Sequence, residues 1–482
     1  MSGNLRLKSR RSFAGENAHT GAVRLMKLRI VKSEGLAHRS YFLSDDGEAA
    51  VIDPRRDCEV YVELAKKECA SIRYIFETHR NEDCVTGSVE LQNKTEAKIA
   101  HSNVLPFKYG DSNLSDGDIF TVGSVRIKVL HTPGHTNESL CYLVYPPTST
   151  EATMVFSGDT LFAGSVGRTD LLGRETQPTQ AEKLYVSIHE KLLPLGDHLL
   201  VYPAHGAGSV CGHSITEQEP TTIGHEKKTN PYLQLGKDDF VKKSMEEELV
   251  VPRYFRRMEE YNLNGPKLLT ELAGPRPFSL QDFDDEMRGS LVMIMDTRMP
   301  YAYAGAHVPG SLSMWLDGTS VYPGWLLGVT QHLVFIHERP CDMGAVARRL
   351  RRLGFDNMCG YLCGGMSEWQ EAGKPITNTL VMSVIELKSK LDKGEVTLLD
   401  VREPNEWKED GVVEAAKRVF WANLPEQVSS VPVDKPIAVT CSVGNRSSIA
   451  VSILESAGVK GVTNVLGGMT AWSNLGYPTK KL

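Results

Sequence analysis

The chain has 482 residues, 41% hydrophobic and 24% charged, which is enough apolar material for two to four packed domains. A net charge of −6 argues against a general nucleic-acid binder, and no apolar run approaches the ~18 residues of a membrane span. Nine cysteines, an odd number without zinc-ribbon spacing, do not form a disulfide framework in a chain this long and point to buried thiols in a reducing, cytoplasmic setting.

Residues 1–26 carry Arg6, Lys8, Arg10, Arg11 and Arg24 against the single acid Glu16, with no apolar stretch behind them. This reads as a disordered tail, a transit-like extension, or an upstream start with Met26 as the usual beginning, rather than a secretory signal. A first domain is expected over 27–240. Short strands run from 27 to Asp53, and Ile72–Phe76 is a strand that delivers His79 just beyond its end. Asp118–Leu130 alternates apolar and polar residues around a Val-Gly-Ser turn, as a hairpin does. Met154–Phe156 runs into Ser157-Gly158-Asp159, and Leu199–Tyr202 into Pro203-Ala204-His205. Each apolar strand is followed by a polar residue, and strand ends are where sites are built. Residues 225–268, rich in Lys and Glu, read as closing helices, with a helical linker over 241–274.

The remainder is a duplication. Asp296-Thr297-Arg298 recurs as Asp400-Val401-Arg402, and His337, Leu350 and Gly354 correspond to Cys441, Leu454 and Gly458. One deletion later, Gly364-Gly365-Met366 corresponds to Gly467-Gly468-Met469. Two α/β domains follow, over 275–378 and 379–482.

The segment Thr78-His79-Arg80-Asn81-Glu82-Asp83-Cys84 resembles the T-H-x-H-x-D-H signature of the metallo-β-lactamase fold. His131-Thr132-Pro133-Gly134-His135, Gly158-Asp159 and Ala204-His205 follow in the order that fold uses. The resemblance implies an αββα metallo-β-lactamase sandwich. Two-metal hydrolases of the fold use histidine where this chain has Asn81 and Cys84, and asparagine is a poor transition-metal ligand. His79, His135 and Asp159 remain: two imidazoles and a carboxylate, a set that suits non-haem iron(II) with open positions. The chain is similar in this to persulfide dioxygenases, whose Gly-Arg-Thr-Asp run is present as Gly167–Asp170. That resemblance implies one Fe(II) per chain on His79, His135 and Asp159. It also implies O2 and a low-molecular-weight thiol persulfide, such as glutathione persulfide, as substrates, with sulfite as product. Asp83 and His205 match the second-metal positions of the hydrolases and would orient ligands or hold an additional metal. Cys84 reads as a buried thiol, His38, His101 and His131 as structural, and Arg168 with Asp170 as either an ion pair or part of the site. A zinc-dependent thioester hydrolase like glyoxalase II is the alternative.

In the last domain, Cys441-Ser442-Val443-Gly444-Asn445-Arg446 at a helix start resembles the rhodanese loop C-x-x-G-x-R. Backbone N–H groups curled round one sulfur favour a thiolate and a persulfide anion. Gly444 supplies backbone freedom, and Arg446 is expected to add positive charge for thiosulfate or sulfite. The middle domain has His337 in place of the cysteine, and Pro340 removes an amide donor, so it reads as an inactive rhodanese domain. No nucleic-acid or membrane partner is expected, and a homodimer is left open.

Overall fold

The computed structural model describes residues 26–482 except 148, 213, 219, 248, 249, 290 and 329; the expectation for the N-terminal extension therefore lies outside the described residues. Two six-stranded sheets come first. One holds, in spatial and chain order, Lys27–Lys32 (β1), Arg39–Asp45 (β2), Glu48–Ile52 (β3), Ser71–Phe76 (β4), Lys98–Ser102 (β5) and Ser112–Leu114 (β6). The other runs Ile119–Val122 (β7), Val125–His131 (β8), Leu140–Tyr145 (β9), Met154–Gly158 (β10), Leu200–Pro203 (β11) and Thr221–Thr222 (β12) in the same way.

The strand patterns explain the layering. In β8 Val125, Ile127 and Val129 alternate inward against Arg126 and Lys128. The central strands β2 and β10 are buried along their whole length. Tyr41, Leu43, Ile52 and Phe76 of the first sheet pack against Ile127, Val129, Tyr142 and Phe156 of the second. Helices Glu59–Glu68 and Ser88–Thr95 close the outer face of the first sheet through Tyr61, Ala65 and Leu91. Helices Gln177–Val186 and Lys237–Glu246 close the second through Leu184 and Phe240. Sheet faces sandwiched between helices are the αββα arrangement.

Two five-stranded parallel sheets follow. Arg276–Phe278 (β13), Val292–Asp296 (β14), Leu312–Ser313 (β15), His332–Ile336 (β16) and Met358–Leu362 (β17) lie in the order β13-β17-β16-β14-β15. Leu380–Ser383 (β18), Thr397–Asp400 (β19), Lys417–Arg418 (β20), Ile437–Thr440 (β21) and Val462–Leu466 (β22) repeat it as β18-β22-β21-β19-β20. The duplication seen in the sequence is thus a duplication of topology.

The stretch read as a helical linker does more than connect. Helix Phe255–Asn264 buries Phe255 and Met258 in a core shared with the middle domain. Its Asn262 amide donates to the carbonyls of Asn81 (2.6 Å) and Cys84 (2.7 Å), and its oxygen accepts from Thr86 N (2.9 Å). The middle domain is also bolted to the sandwich by two ion pairs, Arg352 to Asp57 and Arg56 to Asp356, each at 2.7 Å. Among the described residues no helix is long and apolar enough to cross a membrane.

Candidate functional sites

The ends of β4 and β10, and the loop after β8, bring His79, His135 and Asp159 together with Glu82, a fourth donor that the motif spacing did not single out. All four are buried. His135 Nε2 lies 2.9 Å from Glu82 Oε1 and 3.4 Å from Asp159 Oδ2. His79 Nε2 lies 3.6 Å from Glu82 Oε2 and 3.8 Å from Asp159 Oδ2.

The surroundings decide what these nitrogens can do. His135 Nδ1 is 2.9 Å from the Arg168 carbonyl, which can only accept, so the proton sits on Nδ1 and the Nε2 lone pair points inward. The Thr78 hydroxyl donates to Asp53 Oδ2 (2.8 Å) and is therefore an acceptor for His79 Nδ1 (2.9 Å), with the same result. Two nitrogens and two carboxylates then face one another in a buried space. None of His79 Nε2, His135 Nε2 or the two Glu82 oxygens makes an aligned hydrogen bond. Such a cluster requires positive charge. Burial works to raise the Glu82 pKa, yet the His135 and His79 imidazoles beside it draw it down to about 2. Burial works to lower the His135 pKa, yet Glu82 and Asp159 raise it to about 9, so either a proton on Nε2 or a cation held by the Nε2 lone pair can supply the positive charge these carboxylates require. Two imidazole nitrogens and two carboxylates fit a first-row divalent metal, and His79, Glu82, His135 and Asp159 form a candidate metal site.

The remaining sandwich residues fall round this quartet. His205 Nδ1 lies 2.8 Å from Asp159 Oδ1 and orients that carboxylate, while its Nε2 lies 3.0 Å from Asp83 Oδ2. Asn81 accepts from the Asp83 N–H through its side-chain oxygen (3.3 Å), as a loop cap. Cys84 is buried, and burial pushes its thiol well up. Arg168 is a bidentate partner of Asp170 (2.7 and 2.8 Å) and also donates to the Val210 carbonyl, so the pair pins a loop. His101 and His131 contact the carbonyls of Tyr109 and Asn137, and His38 contacts Ser33 Oγ. Two participants escaped the motif reading: Glu82, whose signal was an acid at an unspecified motif position, and Cys211, which donor spacing did not mark.

In the last domain β21 ends at Thr440, and Cys441 is buried at the start of the loop. Gly444 N–H donates to Cys441 Sγ (3.1 Å), and Ser447 Oγ lies 3.4 Å from it. Gly444 has φ +113°, a conformation that side chains resist, and it opens the 12-residue helix Asn445–Ser456. Val443 is exposed beside it. Arg446 differs from its expected role. Its guanidinium is held by Glu406 at 2.5 and 2.7 Å and contacts Ser442 Oγ, which itself donates to Glu406 (2.6 Å). The charge is neutralised by a carboxylate from the helix Pro404–Asp410, so Arg446 shapes the loop and offers little free charge to an anion. In the middle domain the corresponding position is the buried His337, followed by the single turn Pro340–Asp342 with Cys341 exposed.

Fold and donor set define a metallo-β-lactamase-superfamily protein joined to two rhodanese-like domains. The Metallo-beta-lactamase superfamily pattern matches residues 34–205, and the Rhodanese-like domain pattern matches 279–372 and 383–475. The chain is 30% identical over 231 residues to the mitochondrial persulfide dioxygenase ETHE1 of Bos taurus, covering 46% of this chain and 82% of that protein. It is 28% identical over 215 residues to the hydroxyacylglutathione hydrolase GloC of Haemophilus influenzae, covering 40% and 91%. A crystal structure of a metallo-beta-lactamase from Staphylococcus aureus superposes with a TM-score of 0.63 at 28% identity, over 70% of this chain and 98% of that one. The chain belongs to the ETHE1 persulfide dioxygenase family of the metallo-β-lactamase superfamily and carries a tandem rhodanese pair behind it.

Proposed function

We propose that the sandwich, over 27–240, is an iron(II) persulfide dioxygenase and that the domain over 379–482 is a sulfurtransferase, with an inactive rhodanese domain over 275–378 between them. The observation that carries the first part is the convergence of the His79 and His135 lone pairs with the Asp159 carboxylate, in a motif that has lost the histidines of the two-metal hydrolases at Asn81 and Cys84. One iron bound by His79, His135 and Asp159 would supply redox chemistry with O2 and open positions for a thiolate sulfur. The chain's own contribution is orientation. The Arg168 carbonyl and Thr78 hold the imidazole tautomers, His205 turns the Asp159 carboxylate, and the buried setting excludes water from the reacting sulfur. The balanced reaction is RSSH + O2 + H2O → RSH + SO3²⁻ + 2H⁺, with glutathione persulfide or a similar thiol persulfide as RSSH.

In the last domain the Cys441 sulfur, held by the Gly444 N–H, carries a sulfane sulfur. Sulfite attacks it: the S–S bond of the Cys441 persulfide breaks, a new S–S bond forms, and thiosulfate leaves with Cys441 restored as thiolate. The two activities are linked because the first makes the acceptor of the second. The cysteines are free thiols, which supports a reducing compartment such as the cytoplasm.

The test is oxygen uptake by iron-loaded full-length protein supplied with glutathione persulfide. One O2 consumed per sulfite formed is expected, with uptake lost in His135→Ala. The GloC likeness favours a second reading, a zinc thioester hydrolase. Thioester cleavage by the zinc-loaded protein, with no oxygen uptake after iron loading, would establish that reading and end the first.

A further inference from the structure

The last domain lacks one residue that the middle domain has, between Gly458 and Gly467, and strand register places the difference. Leu333 of β16 faces Met358 of β17, but the next pair is Val334 with Gly360, so Cys359 is an extra residue bulged out of the ladder. In the last domain Ile437, Ala438 and Val439 face Val462, Thr463 and Asn464 without a break, and Cys359 has no counterpart. A bulge re-aims a side chain. Here it brings a thiol to Glu286, in the last turn of helix Leu280–Met287, and to His332, the first residue of β16. A Glu286 carboxylate oxygen, a His332 ring nitrogen and Cys359 Sγ lie within 4.8 Å of one another.

The other two positions differ in the twin domain as well. Counted from the capping residues Ser279 and Ser383, Glu286 corresponds to Lys390. His332 precedes Leu333 as Pro436 precedes Ile437. One domain thus holds all three donors and its twin holds none. The cluster is also remote from the loop position of the rhodanese fold: His337 stands past the other end of β16, a strand of five residues, roughly 17 Å long at about 3.3 Å per residue. Burial and the adjacent Glu286 carboxylate push the Cys359 thiol up to about 11, so without a cation the sulfur keeps its proton. A bound divalent cation reverses this, because a coordinating thiol is deprotonated outright. His332 is exposed and Glu286 and Cys359 are half-buried, so an ion can enter from solvent.

We propose that Glu286, His332 and Cys359 form a metal site in the middle domain, apart from the sandwich, that takes a borderline-soft divalent cation such as zinc. Thiolate, imidazole and carboxylate are the donors zinc accepts. Tetrahedral ligands at about 2.0–2.3 Å from the ion stand roughly 3.3–3.8 Å apart, so closing movements of about 1 Å bring these three atoms into place. On binding, the Cys359 thiol gives its proton to solvent and its sulfur lone pair to the metal. Water fills the fourth position on the open side of His332. The ion ties the end of helix Leu280–Met287 to β16 and β17, a role for the middle domain that needs no sulfur transfer.

The test uses full-length protein produced in zinc-poor medium, loaded with iron and titrated anaerobically with cobalt(II), reading the thiolate-to-cobalt charge-transfer absorption in the near ultraviolet together with cobalt per chain. The band is expected in the wild type and in Cys441→Ser. It is expected to vanish in Cys359→Ser with the loss of one cobalt per chain. His332→Ala, at an exposed position, is expected to weaken that cobalt about tenfold or more and decides the matter if Cys359→Ser does not fold. No band in the wild type, survival of the band in Cys359→Ser, its loss in Cys441→Ser, or unchanged affinity in His332→Ala would each overturn the site. Oxygen uptake belongs to the sandwich and is measured apart, so this site and the dioxygenase can fail independently.

Discussion

The middle and last domains share a scaffold and differ at one loop. Both bury an acid–arginine pair at the end of the second strand of the domain: Arg298 Nη2 to Asp296 at 2.6 Å and Arg402 Nη2 to Asp400 at 2.8 Å. Both guanidiniums also donate to a loop carbonyl, of Ala306 and Gly411 respectively, at 2.7 Å. Both close with a tryptophan whose indole N–H donates to a carbonyl six residues on, Trp369 to Pro375 (2.7 Å) and Trp472 to Pro478 (3.0 Å). After the fourth strand in sequence they part: Cys441 leads into a glycine-opened helix, whereas His337 leads into a proline-started turn. The contacts that hold a domain together recur in both domains, while the loop after the strand differs. The middle domain instead presents Arg352 and Asp356 to the sandwich.

This contrast can be broken or sharpened by substitution. The largest effect is expected from Cys441→Ser, which should reduce thiosulfate sulfurtransfer to background while oxygen uptake with glutathione persulfide persists. Equal loss of both would show that the sites are not separate. Next come Arg298→Ala and Arg402→Ala. Each strands a buried aspartate and should cost about 3–5 kcal/mol by denaturant unfolding of its domain; a large cost in only one would break the parallel. Paired substitution of Asp57 and Arg352 should show a coupling of about 0.5–3 kcal/mol in a double-mutant cycle, and no coupling would make the middle domain a passive spacer. The smallest effect is expected from His337→Cys. With Pro340 lacking an N–H and no Gly-x-Arg behind it, cyanide-releasable sulfane sulfur should stay at the wild-type level. A gain would show that the cysteine alone makes the loop.

Much of this was legible along the chain. His79, Asp159 and His205 stand just past buried strands, and the pairing of Asp296-Thr297-Arg298 with Asp400-Val401-Arg402 announced the repeat. Apolar periodicity and motif order are local properties, set by strand pleat and turn chemistry, so they can be read without coordinates. Arg446 was read as a free charge because its partner, Glu406, is 40 residues away on another element.

What the sequence determined by itself was the order of the domains, the strand ends that carry His79, Asp159 and Cys441, and the missing cysteine of the middle domain. Only the tertiary structure decided that Glu82 turns toward His135, that Asn262 clamps the loop holding it, and that Cys211 meets Asp83 and His205. The reason is physical: a donor set is a convergence of side chains from loops, and these loops are closed by hydrogen bonds between residues far apart in the chain, such as Asn262 to Asn81 and Arg168 to Cys211.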